Sequence, residues 1–118
     1  MEMSITSKKG FWIGDLWATT QKMIDLVTKS GTQFSKVTDP DSGLSLLCYK
    51  TGIDDVYYDE EGREYIIDSA SVCLIPLELL DDTPEGGHIF YGGGRASMEP
   101  YDEMFFFDLP SGQRIELS

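Results

Sequence analysis

Between Asp54 and Leu80 the chain carries the pattern that most limits its fold. Val56-Tyr57-Tyr58 and Glu64-Tyr65-Ile66-Ile67 are β-prone runs on either side of Asp59-Glu60-Glu61-Gly62, where Gly62 is available for a positive φ. This predicts a β-hairpin with an acidic tip. Val72-Cys73-Leu74-Ile75 reads as the next strand, a buried one, and Pro76 stops it because proline cannot donate to a ladder.

The flanking chain predicts more short strands and one helix. Residues 1–10 are polar and end in Lys8-Lys9-Gly10. They read as a flexible N-terminal arm or a short edge strand, ahead of a single acidic β-rich domain over 11–118. Phe11-Trp12-Ile13 is a strand closed by Gly14-Asp15. Leu16, Thr20, Met23, Ile24 and Val27 then recur on one face of a 3.6-residue period. The spacing predicts an α-helix over about 19–30, with Thr19 or Asp15 as N-cap and Gly31 after its last turn. Further strands are expected at 34–37, 44–49, 88–91, 104–108 and 113–117, a helical turn at 77–80, and loops at 81–87 and 92–100. The expected class is α+β, mainly β: an antiparallel twisted sheet or small barrel of about seven or eight short strands with one helix.

Charge narrows what such a domain binds. The net charge is −12, which repels phosphates and anionic lipid. Direct nucleic-acid and membrane binding are therefore not expected, and a cationic partner is. Residues 1–50 hold six lysines against five acids, whereas residues 51–118 hold three arginines against sixteen acids. Such asymmetry predicts either an acidic binding face or a set of solubilising loops. Cys48 and Cys73 lie in apolar runs without metal-ligand spacing, and Met1-Glu2-Met3-Ser4 has no leader pattern. Free buried thiols and a cytoplasmic protein are the expectation.

Residues 54–80 also resemble a family of small uncharacterised bacterial and phage proteins. Its pattern runs Gly-Asp early, then D-G-x-Y-x-D-x-x-G-x-x-Y-x-V-D-S-G-x-I-G-x-V-P-x-E-L. Gly14-Asp15 matches the first part; Asp54, Tyr57, Asp59, Gly62, Tyr65, Asp68, Ser69, Pro76, Glu78 and Leu79 match the second. Asp55, Ala70 and Cys73 stand where that pattern has glycine. The resemblance brings no activity with it. It implies a phage or prophage origin and a protein that acts on host machinery.

Candidate chemistry is sparse. The Asp59–Gly62 turn does not fit the EF-hand template, since Tyr57 would be its first ligand. His88, the only histidine, is expected to be satisfied locally in a strand, and no nucleophile signature surrounds Cys48 or Cys73. No catalytic residue, metal or cofactor is assigned. The leading expectation is a non-enzymatic acidic inhibitor that docks on a basic protein: a host-defence or nucleic-acid enzyme, or a toxin. Asp54, Asp55, Asp59, Glu60, Glu61 and Glu64 are the first candidate contacts, and Asp81, Asp82 and Glu85 the second. The alternative is a nucleotide-ligand binder using Gly92, Gly93, Gly94, Arg95 and Ser97 as an anion-binding loop. A small enzyme is the third reading.

Overall fold

The structure is a computed structural model that describes residues 1–102 and 104–118. These residues are mainly β, with one α-helix among them and antiparallel pairing in every sheet. The strands are β1 (Met3–Ser7), β2 (Gly10–Asp15), β3 (Phe34–Thr38), β4 (Ser45–Lys50), β5 (Asp55–Tyr58) and β6 (Glu64–Ile67), then β7 (Ser71–Pro76), β8 (His88–Tyr91), β9 (Gly94–Tyr101), β10 (Met104–Asp108) and β11 (Arg114–Leu117). Helix α1 spans Gln21–Ser30, and 3-10 turns cover Leu16–Ala18 and Leu77–Leu79.

The strands form three sheets rather than the single sheet or barrel expected. A five-stranded sheet, β3-β4-β7-β2-β8, is the middle layer. Its central strands β2 and β7 are buried along their whole length, and side-chain alternation supplies two faces. Phe11, Ile13, Leu47, Val72 and Leu74 face one core, shared with Met98, Phe105, Phe107 and Ile115 of the four-stranded sheet β1-β9-β10-β11 and with Tyr57, Tyr65 and Ile67 of the β5–β6 hairpin. Trp12, Leu46, Cys48, Cys73 and Ile75 face the other, which Leu16 and the Met23–Val27 stripe of α1 cover.

The described residues form eleven strands where seven or eight are expected. One of them settles an open reading and another corrects one. Of the two expectations for residues 1–10, the short edge strand holds over residues 3–7 and the flexible arm does not: β1 is paired along its length with β9 and buried at Ile5 and Ser7. Residues 94–101, read as loop because of their Gly and Pro, form β9, the strand that joins β1 to β10. Its alternation is present but thin, with Ala96 and Met98 the inward pair.

Helix α1 begins at Gln21, later than expected, because Thr20 is the N-cap and accepts from the Met23 amide at 3.3 Å. Neither predicted cap serves. Thr19 donates its hydroxyl to the Leu16 carbonyl, and the Asp15 carboxylate is occupied by Ser69. Gly31 ends the helix in the left-handed region, as its position predicted. No helix among the described residues is long and apolar enough to cross a membrane. Cys48 and Cys73 are directly opposite on β4 and β7, buried and unbridged. Burial, and then the hydrogen bond to Cys48, push the Cys73 thiol pKa up, so thiolate chemistry is disfavoured there.

One departure from the resembled pattern carries a measurable cost. Ala70 has φ +54°, the left-handed region that glycine enters freely. Its carbonyl accepts the Thr51 amide at 2.7 Å, which holds the turn between β6 and β7 in place. Ala70→Gly is therefore expected to stabilise the protein by about 0.5–1 kcal/mol and to raise Tm by about 3 °C in a thermal melt.

Candidate functional site

The hairpin that carries six of the candidate acids is built around one of them. Asp59 is buried at the turn. One carboxylate oxygen accepts the amides of Glu61 and Arg63, each at 3.0 Å; the other accepts the Arg63 guanidinium and the Tyr65 hydroxyl, each at 2.8 Å. Gly62 takes φ +81° to close the turn, as expected. Burial works to raise the Asp59 pKa, but the bonds from Arg63, Tyr65 and the two amides outweigh it and hold it below the ordinary carboxylate value. Burial, and then the Asp59 carboxylate, push the Tyr65 phenol strongly up. Asp59 is thus a structural residue with no surface to offer a partner, which corrects its place among the contacts.

Its neighbours are exposed but mostly engaged. Glu61 pairs with Arg63, Glu60 accepts the Glu116 amide at 3.0 Å, Glu64 accepts the Tyr58 hydroxyl, and Asp55 accepts the Val56 amide. Asp54 alone of the six makes no hydrogen bond or ion pair among the described residues. The outward face of the hairpin is apolar: Val56 and Ile66 stand opposite each other and are both exposed, beside exposed Tyr58.

The second group of acids lies in a groove of about 760 Å³. Three separate stretches build it. The end of β2 and the turn after it bring Asp15 and Trp17; β6 and its exit bring Ile66 and Asp68; the loop after Leu79 brings Asp81, Asp82, Pro84 and Glu85. That loop is tied down at its far end, where the Gly86 carbonyl accepts the Ile66 amide at 2.9 Å. Among the described residues five carboxylates line the groove, and no lysine, arginine or histidine does. Asp15 is buried and already accepts the Ser69 amide and hydroxyl. Asp68, Asp81, Asp82 and Glu85 are exposed and make no hydrogen bond or ion pair among the described residues. Trp17 is 64% exposed beside them, an unusual position for so large an apolar ring.

Sequence reasoning missed Trp17 and Asp68 as surface features. Trp17 falls off the Leu16–Thr20–Met23 stripe, and that is the signal that separates it from the core. Asp68 entered only through the resembled pattern.

The glycine-rich stretch does not form an open anion nest. The Gly92 amide donates to the Lys9 carbonyl at 3.1 Å, a Cβ on Gly93 would stand 2.4 Å from the Lys8 carbonyl oxygen, and one on Gly94 would meet Pro110 at 2.8 Å. Gly93 and Gly94 allow close chain packing. Arg95 and Ser97 belong to β9, not to a loop. His88 is held between the Glu64 carbonyl, 2.8 Å from Nε2, and the Tyr65 ring, 4.8 Å between centroids. No family model, no curated protein and no solved structure matches the chain, so the reading of function rests on these surfaces.

Proposed function

We propose that this chain is a non-enzymatic docking protein that occupies a basic site on another protein through the groove beside Trp17. The observation that carries this reading is the groove's composition: four exposed, unengaged carboxylates around an exposed indole, with no cation among the described residues of the lining. A guanidinium or ammonium entering the groove stacks on Trp17 and is surrounded by Asp68, Asp81, Asp82 and Glu85. Ile66 and Val56 give apolar contact beside it, and the hairpin acids and Asp54 extend the negative rim. Such a field accelerates encounter with a basic partner and disfavours acidic ones.

The partner class that fits is a protein whose own ligand is a polyanion, such as a nucleic-acid enzyme or a nuclease toxin. The protein would then act as an inhibitor, of the kind a phage uses against host defence or an immunity protein uses against a toxin.

Titrating an arginine-rich peptide while following Trp17 fluorescence tests the reading. Changing Asp68, Asp81, Asp82 and Glu85 together to Asn or Gln is expected to weaken binding by about tenfold to a hundredfold at low salt. Affinity of the unaltered chain is expected to fall steeply as salt rises. Glu60→Gln with Glu61→Gln is expected to change it far less, since those acids are already engaged. Undiminished peptide binding by the neutralised groove would remove the proposal.

A further inference from the structure

The positive charges of this acidic chain are as informative as the negative ones. Lys22, Arg63 and Arg114 are taken up in ion pairs with Asp39 and Asp41, with Asp59 and Glu61, and with Asp108. Lys36 and Arg95 form no ion pair among the described residues, and they border the same pocket. It measures about 290 Å³; its remaining polar side chains among the described residues are the hydroxyls of Ser4, Thr6 and Ser45, with no carboxylate among the described residues of its lining. In a protein of net charge −12 that combination runs against the average surface.

The two cations come from different sheets. Arg95 stands opposite Thr6 where β9 pairs with β1, at the edge of the four-stranded sheet. Lys36 lies in β3, the edge strand of the five-stranded sheet, and Ser45 opens β4 beside it. The pocket is therefore the seam between the two sheets. Arg95 is oriented in it, because its Nε donates to Ser4 Oγ at 2.9 Å. That bond leaves the terminal guanidinium nitrogens and the Ser4 hydroxyl proton available to an acceptor. The nearest acids in sequence, Asp39 and Asp41, are held by Lys22 at 3.0 and 2.8 Å, so they do not compete for Lys36.

We infer that this seam binds a small phosphate monoester. Its phosphate lies between the Arg95 fork and the Lys36 ammonium, with Ser4 donating a further hydrogen bond. A planar fork and a point charge converging on one anion is the arrangement phosphate recognition uses. Leu44 in the same lining gives the organic part an apolar contact, and the volume admits only a small one. The pocket shares no residue with the acidic groove, so it stands or falls apart from the docking proposal.

The test is a titration of the full chain with inorganic phosphate and with glycerol phosphate at constant ionic strength set by chloride. Amide shifts of Ser4, Lys36, Ser45 and Arg95 are followed by NMR. Saturable shifts confined to these residues are expected, with the ester binding at least as well as inorganic phosphate. Lys36→Gln and Arg95→Gln are each expected to weaken binding about tenfold, and the pair to abolish it. Arg95→Lys should fall between, because it keeps the charge and loses the fork. Both side chains are exposed, so the variants are expected to keep the unaltered circular dichroism spectrum. Shifts that grow without saturating, or saturable binding kept by the double variant, would overturn the site. Binding of inorganic phosphate with exclusion of the ester would overturn the monoester and leave a free-anion site.

Discussion

Asp59→Ala is expected to lower stability by about 3 kcal/mol in urea unfolding, the cost of breaking an ion pair with one buried member. The substitution removes one side chain and strands several donors. Tyr65 is fully buried, and its hydroxyl donates to Asp59; the amides of Glu61 and Arg63 lose the acceptor that shapes the turn. An unmet buried donor costs more than a made bond contributes. For that reason Tyr65→Phe, which leaves Asp59 with its other donors, is expected to cost only about 1 kcal/mol. A loss under 1 kcal/mol for Asp59→Ala would show that the turn is held by its backbone alone.

The same carboxylate sets a pH dependence. Its folded-state pKa lies below the ordinary value, so the unfolded chain takes up the proton first. The stabilisation is fully present above the unfolded value of about 3.9 and is lost as pH falls through the lower folded value. Asp59→Asn removes this dependence. The stability difference between the unaltered chain and Asp59→Asn is therefore expected to be constant between pH 7 and about pH 5 and to shrink below about pH 4.

These residues show what the sequence makes legible. The β5–β6 hairpin is readable because its signals are local: alternating inward Tyr57, Tyr65 and Ile67, and a glycine where the turn needs positive φ. Strands β1 and β9 are hard to read because each presents only two inward side chains, and their pairing spans most of the chain. Charge counting gives the sign of the surface but not its location. Asp59 is counted with the contacts although it is buried, while Asp68 is exposed in the groove and is passed over. The groove itself joins residues 15–20, 66–68 and 80–86, so no window of sequence contains it.

The residues of the resembled pattern have mostly structural work. Asp15 holds Ser69, Asp59 holds Arg63 and Tyr65, and Glu78 accepts the Ser7 hydroxyl and the Lys8 amide. Each ties two segments distant in the fold or closes a turn. A pattern of acids, aromatics and glycines at fixed spacing can therefore record a scaffold, while the docking surface proposed above draws on residues such as Trp17, Asp81 and Asp82 that lie outside it.

Gly87→Ala is expected to cost about 3 kcal/mol, at the upper end of overpacking. A Cβ there would stand 2.2 Å from the Ile13 carbonyl oxygen and 2.6 Å from the Trp12 ring. Neither neighbour can give way easily. Ile13 lies in β2, paired with β7 on one side and β8 on the other, and Trp12 is fully buried. The Trp12 ring is held by shape, since its Nε1 has no hydrogen-bond partner among the described residues. What remains to move is the segment containing Gly87, which joins the acidic loop to β8 and sets the wall of the groove. The variant should therefore lose stability and peptide binding together, although it alters no charge. Gly112→Ala is the control: φ is +89° but a Cβ meets nothing within 4 Å, so only the backbone cost of about 1 kcal/mol is expected. A loss for Gly87→Ala no larger than that for Gly112→Ala in urea unfolding would show that the segment moves away from Trp12 at little cost and that the fit of Gly87 does not hold the acidic loop.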